Sequence, residues 1–168
     1  SLFKSFNWIT TIKTNGNYLA AHPEIISELL KLGVRGIGID LDGTKNFHDS
    51  MRNKNGHFDQ SVENIKRLIA YSDILHVSAT TVVTKENIAC LPALWQKVSE
   101  INPHRWRLLP IETMGRSNDG KLALSLKEFR WLADFLLAIN IQNRGQKKTQ
   151  AELGCVGWTG AAYEGRIR

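Results

Sequence analysis

The stretch Val34-Arg35-Gly36-Ile37-Gly38-Ile39-Asp40-Leu41 is an apolar run that ends in the polar turn Asp42-Gly43-Thr44. A short apolar run bounded by turn residues predicts a buried β-strand. An amphipathic segment from Pro23 to Leu32 precedes it, and Gly33 separates the two. Proline in the first turn and glycine after the last turn are typical of the two ends of a helix. The stretch therefore predicts a unit in which a helix leads into a buried strand with a polar end.

The same alternation extends along the chain on both sides of this stretch. The predicted strands are Phe6 to Lys13, Val34 to Leu41, Ile74 to Val83 and Arg105 to Ile111, and the predicted helices are Pro23 to Leu32, Asp59 to Tyr71, Glu86 to Ile101 and Ser125 to Ile139. Ser125 and Glu128 have the S-x-x-E spacing of a capping box. Strands that alternate with helices favour a parallel sheet with right-handed crossovers. The predicted fold class is therefore α/β, with four strand–helix repeats.

Composition restricts the class of protein. The chain has 168 residues, of which 42% are hydrophobic and 23% are charged, as is ordinary for a soluble globular domain. The richest apolar run, Trp131 to Ile139, contains Asp134 and is shorter than the roughly 20 residues of a membrane span. These values exclude collagen, a coiled coil, disorder and a small disulfide scaffold, and we expect no membrane partner.

The net charge of +6 comes from basic residues that are spread along the chain without a dense block. Aromatic residues do not alternate with them in a stacking pattern, so we expect no nucleic-acid partner. The two cysteines, Cys90 and Cys155, lie far apart and form neither a disulfide framework nor a CxxC metal pair. We therefore expect a cytoplasmic protein in which Cys90 packs inside the fold.

Polar residues follow each predicted strand, at the edge where ligands bind in parallel sheets. They are Thr14 and Asn15, Asp40 and Asp42, Thr81 and Thr84, and Pro110 and Glu112. This pattern predicts a functional site at the carboxyl ends of the strands.

The D-x-D-G-T turn beginning at Asp40 resembles the first motif of haloacid-dehalogenase-like phosphatases. That resemblance implies that Asp40 attacks phosphorus and Asp42 acts as acid and base, with magnesium between them. The family also uses a later acidic pair, whereas Asp73, Asp119 and Asp134 stand alone. A magnesium-dependent phosphohydrolase is therefore an alternative function.

A second resemblance covers most of the chain. Thr14-Asn15-Gly16, the following helix and the L-D-G turn resemble radical S-adenosylmethionine (SAM) enzymes, most closely the SPASM-type branch, which modifies peptides and proteins. Further landmarks are His48-Asp49, Arg52, Gly56 and Phe58 as H-D-x-x-R and G-x-F, then Thr81-Val82-Val83-Thr84 with Asn87, and Pro110 with Met114-Gly115-Arg116. They occur in family order from about Phe6 to Ile139.

The resemblance implies a partial (β/α)6 TIM barrel, of which the four repeats are the third to sixth units. It implies SAM and a [4Fe–4S] cluster as cofactors of the full protein and a peptide or protein as substrate. By this resemblance Asp40 and Arg52 contact the methionine part of SAM, Thr14 and Asn15 face the same cavity, and Thr81 and Pro110 border the adenosine. Family members usually have serine in place of Asp40, and we expect this aspartate to accept from the SAM amino group or from the ribose hydroxyls.

The chain departs from the family in having no C-x-x-x-C-x-x-C cluster loop. The interpretation is a fragment, with residues 1–140 as the C-terminal portion of the barrel and residues 141–168 as a linker and the truncated start of a cysteine-rich extension. Cys155 is then a candidate auxiliary-cluster ligand in the full protein, and we expect no cofactor bound to the fragment. Three cysteine ligands are needed to hold the cluster that cleaves SAM, so we expect the fragment to be inactive alone.

The main hypothesis is therefore a fragment of a radical SAM oxidoreductase or maturase that forms part of the SAM and substrate pocket. Besides the phosphohydrolase, a non-catalytic peptide-binding domain remains an alternative. Because an incomplete barrel exposes sheet edges, we also expect the fragment to self-associate.

Overall fold

A computed structural model of the chain describes residues 9–112, 120–154, 159 and 163–167. The strands are β1 (Thr10–Thr14), β2 (Val34–Asp40), β3 (His76–Val83), β4 (Arg105–Pro110) and β5 (Gln150–Leu153). The helices are α1 (Asn17–Ala21), α2 (Ile25–Lys31), α3 (Lys45–Met51), α4 (His57–Ile69), α5 (Leu91–Ile101) and α6 (Leu126–Gln142), with a 3-10 turn at Ile88–Cys90. The landmark at 114–116, Cys155 and the first residues of the predicted first strand lie outside the described residues.

The strands form one parallel sheet in the order β1-β2-β3-β4-β5, so each strand pairs with the one before it in the chain. This arrangement confirms the predicted α/β class and the parallel pairing. All carboxyl ends of the strands therefore lie along one edge of the sheet.

The two faces of the sheet differ in chemistry because side chains alternate along each strand. One face packs against helices through fully buried residues such as Ile39, Ala79, Trp106 and Leu108. The opposite face, termed the polar face, carries two registered rows: Lys13, Gly38, Ser78 and Arg105 in the first, and Asp40, Thr80, Arg107 and Glu152 in the second. Ligand contacts are expected on this second face, since helices already cover the first.

Three elements were not predicted from the sequence: the short helix α1 before the predicted first helix, helix α3 and strand β5. Helix α3 lies within 42–57, which the sequence predicted only as a long polar segment. Its buried residues are His48 and Asp49 rather than apolar ones, so the usual periodicity is missing. Strand β5 begins at Gln150, where a linker was expected, and buries only Ala151 and Leu153.

The helix ends follow the capping chemistry that the sequence predicted. Ser125 Oγ accepts from the Glu128 N–H at 3.3 Å, and Glu128 Oε2 accepts from the Ser125 N–H at 2.7 Å. These bonds confirm the capping box of α6.

None of the helices in the described ranges combines the length and the hydropathy needed to cross a membrane.

Candidate functional site

The turn after β2 is built around Asp42, whose side chain is fully buried. Its Oδ1 accepts from the Val82 N–H at 3.1 Å, and its Oδ2 accepts from Arg52 Nε at 3.0 Å and from Arg52 Nη2. A buried carboxylate needs such partners, because desolvation of an unpaired charge is costly. Asp42 therefore has a complete set of protein partners and joins the ends of β2 and β3.

Asp40 lies two residues earlier and is more open than Asp42. Its Oδ2 accepts from Arg52 Nη2 at 3.0 Å, and its side chain remains 27% exposed. Burial raises the pKa of Asp40, while the positive charge of Arg52 opposes the rise. One guanidinium thus serves two carboxylates, and the three groups with both acids ionised carry one net negative charge. Such a site favours a cationic group of a ligand.

Two buried histidines support the turn. The Asp42 N–H donates to His48 Nδ1 at 3.0 Å, so the His48 proton lies on Nε2, which is 2.7 Å from His57 Nδ1. His57 therefore carries its proton on Nε2, a buried atom without a hydrogen-bond partner in the described structure. Burial lowers the pKa of His48 to about 4 and also lowers the pKa of His57. Both rings are neutral at pH 7.

The other residues of the H-D-x-x-R and G-x-F landmarks hold the start of α4. Asp49 Oδ2 accepts from the Gly56 N–H at 2.8 Å, and Asp49 Oδ1 accepts from the Phe58 N–H at 2.7 Å. The hydrogen bond from Phe58 is the main reason that the pKa of Asp49 is lowered. The motif therefore positions Arg52 by fixing the short helix α3 between the turn and α4.

Two asparagines hold the turns after β1 and β2. Asn64 connects α4 to the first turn, and Asn87 connects the end of β3 to the second. Asn87 Nδ2 donates to Asp42 O and to Val82 O, both at 2.7 Å, while its Oδ1 accepts from the Thr84 N–H at 2.8 Å. Asn64 on α4 donates to Gly16 O at 2.8 Å, in the turn after β1. The backbone of that turn requires glycine, because φ is +80° and a Cβ would lie 2.7 Å from the Asn64 amide nitrogen.

The structure brings only some of the sequence-predicted cofactor residues together. Asp40 and Arg52 are in direct contact. Thr14 Oγ1 accepts from the Gly16 N–H at 3.2 Å, and Asn15 is exposed in the same turn. Pro110 ends β4, beside the end of β3.

Thr81 lies on the helix-covered face. Its hydroxyl donates to Leu41 O at 2.7 Å and accepts from Trp106 Nε1 at 2.9 Å. The side chain is fully buried, so its hydroxyl is used within the protein. A direct cofactor contact through Thr81 remains a prediction.

Sequence reasoning missed the charged groups of the polar face. Lys13 Nζ donates to Ser78 Oγ at 2.9 Å and to Thr80 Oγ1 at 3.3 Å. Arg107 Nε donates to Glu152 Oε1 at 2.6 Å, and Arg105 pairs with the same carboxylate. The signal was the alternation of charged and apolar residues along β1, β4 and β5. These groups border an open cavity of about 550 Å³.

Electrostatics differ across this face. Desolvation lowers the pKa of Lys13, and the positive charge of Arg107 lowers it further. Burial alone would raise the pKa of Glu152, but the hydrogen bonds and charges of Arg105 and Arg107 outweigh it, so the pKa is lowered. Glu152 is thus neutralised by two arginines, whereas the partners of Lys13 among the described residues are two hydroxyls.

The described residues contain no group of three or more His, Cys, Asp or Glu side chains that would hold a metal ion. Arg52 occupies the place between Asp40 and Asp42 that magnesium would take in a phosphohydrolase. Asp42 is also inaccessible. The phosphohydrolase alternative is therefore not supported.

Solved structures of similar fold include a domain of pyruvate-formate lyase-activating enzyme from Bacteroides vulgatus ATCC 8482, with a TM-score of 0.57, 16% identity, and coverage of 90% of this chain and 84% of that one. Native anSMEcpe with bound AdoMet and Kp18Cys peptide has a TM-score of 0.58 and 17% identity, and covers 84% of this chain and 40% of that one. At this identity the likeness shows a shared fold.

A sequence relative is Fe-coproporphyrin III synthase of Methanosarcina barkeri (strain Fusaro / DSM 804), which is 26% identical over 129 residues. The alignment covers 75% of this chain but 31% of that protein, so the chain spans about a third of the relative's length. The Radical SAM superfamily matches residues 4–96, more than half of the chain. The chain belongs to the radical SAM superfamily.

Proposed function

We propose that this chain forms part of the SAM and substrate pocket of a radical SAM oxidoreductase or maturase that acts on a peptide or protein, in the SPASM-type branch. The observation that carries the proposal is the Asp40–Arg52 pair at the carboxyl edge of the sheet, beside the open polar face. Arg52 is held by the buried Asp42, yet the side chains of Arg52 and Asp40 each remain about a quarter exposed. Such a rigid, partly open charged pair is suited to orient a zwitterionic ligand.

The amino-acid part of SAM fits the chemistry of this pair. Asp40 supplies acceptor oxygens for an ammonium group, and the net negative charge of the Asp40–Arg52–Asp42 group favours it. Arg52 uses Nε and Nη2 within the protein, while its Nη1 donates to no group of the described residues. That nitrogen is suited to receive the ligand carboxylate.

The iron–sulfur cluster does not fit the described residues. The sequence has two cysteines, and the one that the structure describes, Cys90, is a free thiol that lies near Gly43. In the full protein such a cluster would supply the electron that cleaves SAM, and the 5′-deoxyadenosyl radical formed from SAM would take a hydrogen atom from the substrate. We therefore propose that the chain binds and orients ligands, and that it is inactive without additional cysteine ligands. Cys155 remains a proposed auxiliary-cluster ligand of the full protein.

The test of the SAM pocket is calorimetric titration of the folded chain with SAM. We expect saturable binding that Asp40→Asn weakens about tenfold, the loss of roughly one charge-assisted hydrogen bond. Asp73→Asn removes an exposed carboxylate elsewhere and is the matched control. Absence of SAM binding in a chain that retains its circular dichroism spectrum would contradict the proposal.

The proposal of inactivity alone has its own assay. Incubation of the chain with SAM and dithionite should give no 5′-deoxyadenosine, because a [4Fe–4S] cluster supplies the electron. Formation of this product by the purified chain would show that the proposal is wrong. Peptide binding in the absence of SAM binding would favour the non-catalytic peptide-binding alternative.

We also propose a cytoplasmic location. The boundary expected near residue 140 falls within α6, and β5 beyond it pairs with β4, so we propose that the barrel portion extends through β5. Self-association through a sheet edge is proposed because β1 and β5 flank the sheet in the described residues. Strands at an edge present unpaired backbone groups. Light scattering that finds a monodisperse monomer would refute this part.

A further inference from the structure

We propose that the polar face binds a carboxylate of the substrate, with Lys13 as the main contact and Arg107 in support. The inference rests on the proposed function, because it takes the polar face to be the substrate side of the pocket. It adds a substrate class, an acidic one, and a binding residue that the sequence landmarks do not include.

Gly38 places the Lys13 ammonium over the middle of the sheet. Lys13 lies on β1, yet its Nζ reaches Ser78 and Thr80 on β3, so its side chain crosses β2. It crosses at Gly38, where a Cβ would contact the lysine side chain at 2.6 Å and Ser78 Oγ at 2.8 Å. The absence of a side chain at this one position therefore lets a cation from the flank of the sheet reach its centre.

The charges that border the cavity are unbalanced. Lys13, Arg35, Arg105 and Arg107 are cationic, and Glu152 is the carboxylate among the lining residues. Both Arg105 and Arg107 bind Glu152. In the described structure no carboxylate lies within ion-pair distance of Lys13 Nζ, whose partners are two hydroxyls. An ammonium held in this way can accept an anion without breaking an existing ion pair.

The electrostatic environment of Lys13 favours an anionic ligand over a neutral one. The lowered pKa of Lys13 reflects burial first and repulsion by Arg107 second. The negative charge of a bound carboxylate would offset both effects, because opposite charge stabilises the protonated amine. A neutral amide of the same shape would offset neither.

The carboxylate site adjoins the Asp40–Arg52 pair. Lys13 is in register with Gly38 and Ser78, but its Nζ also donates to Thr80, which is in register with Asp40. The negative charge of Asp40 raises the pKa of Lys13, against the larger lowering by burial and by Arg107. We therefore place the carboxylate at Lys13, beside the Asp40–Arg52 pair.

The experiment compares two end-capped peptides, acetyl-Ala-Glu-Ala-amide and acetyl-Ala-Gln-Ala-amide, by NMR titration of the 15N-labelled chain. Propionate and propionamide form a second pair, which distinguishes a free small acid from a peptide side chain. We expect the glutamate peptide to bind about tenfold more tightly than the glutamine peptide, as one charge-assisted contact warrants. The amide signals of Lys13, Gly38 and Ser78 should shift.

Three variants locate the effect. Lys13→Met keeps the length of the side chain and should abolish the preference for glutamate over glutamine. Gly38→Ala keeps the charge but obstructs the crossing, and it should reduce the preference without changing net charge. Lys66→Met removes one exposed positive charge from α4 and should leave the preference intact.

The outcomes separate this inference from the proposed function. Equal affinity for the two peptides, or equal effects of Lys13→Met and Lys66→Met, would overturn the carboxylate site even if SAM binds. Loss of the glutamate preference on saturation with SAM would assign the carboxylate to SAM itself and would also overturn it. A preference that depends on Lys13 in a chain that does not bind SAM would support the site and refute the proposed SAM pocket.

Discussion

The turn after β2 and the polar face of the sheet lie side by side but differ in burial and in the partners of their charged side chains. The turn is held by the edge network, which comprises Asp42, His48, Asp49, Arg52 and Asn87. Four of these five side chains belong to residues exposed by 9% or less, and each is bonded to backbone or to another member. On the polar face, Lys13 and Arg105 are partly exposed, and the partners of Lys13 in the described structure are two neutral hydroxyls.

This difference distinguishes side chains that stabilise the fold from side chains that are available to contact a ligand. Buried polar groups must be satisfied, so their spacing in the sequence is narrowly constrained and appears as a motif. Side chains that face a cavity need only lie on the correct face of a strand, so their spacing in the sequence forms no recognisable motif. In this chain the conspicuous H-D-x-x-R segment mainly stabilises a turn, with Arg52 alone reaching the open side.

The strongest way to break the comparison is to remove Asp42. We expect Asp42→Ala to lower the free energy of unfolding by about 3–5 kcal/mol, because it leaves Arg52 and the Val82 N–H without their buried acceptor. Urea denaturation followed by circular dichroism measures the change. Asp59→Ala, which removes an exposed partner of Lys45, should cost less than about 1 kcal/mol. Similar losses for both variants would mean that the edge network does not carry the stability.

A second variant tests the tie between β2 and β3. Asn87→Ala leaves the Thr84 N–H without its acceptor and removes the donor to two carbonyls. We expect a loss of about 2–3 kcal/mol, the cost of buried groups without partners. A loss below about 0.5 kcal/mol in the same denaturation assay would contradict this role.

Acidification tests the neutral histidines. The folded-state pKa of His48 is about 4, below the ordinary value of 6.5, so only the unfolded state gains the proton between these values. The free energy of unfolding is therefore fully present above pH 6.5 and falls as the pH decreases toward 4. We expect this histidine to account for about 2 kcal/mol of loss between pH 7.5 and pH 5. The His48→Asn variant should have a flatter pH profile in that window, and an unchanged slope would refute the assignment.

The smallest expected effect sharpens the contrast. Lys13→Met removes a charge from the polar face, where no carboxylate in the described structure pairs with it. We expect the free energy of unfolding to change by less than about 1 kcal/mol, as for exposed polar substitutions. A loss comparable to that of Asp42→Ala would place Lys13 in the framework instead.

The sequence predicted the sheet better than it predicted the helices around the site. Apolar runs located β2 and β4 to within one residue at each end. Helix α3 was not predicted because its buried residues are His48 and Asp49, which are held by hydrogen bonds to groups outside the helix rather than by apolar packing. Strand β5 has only two buried apolar side chains, too few for a periodic signal.

The sequence predicted at which edge of the sheet a site would lie, but not which side chains bind each other there. Polar residues after the predicted strands indicated a site at the carboxyl edge of the sheet, and Asp40 and Arg52 meet at that edge. Their mutual ion pair depends on how α3 folds back, which spacing alone does not reveal. Thr81 lies within β3, next to Thr80, which is in register with Asp40, and it therefore points to the opposite face of the sheet.

The sequential order of the strands suggests how the hydrogen bonds of Asn64 and Asn87 form while the chain is being translated. Each strand pairs with the one made just before it, so its partner has already left the ribosome when it emerges. Asn64 then fastens the second unit to the turn of the first, and Asn87 fastens the third to the turn of the second. The sheet is therefore suited to form one unit at a time during translation, each new strand pairing with a strand that is already held in place.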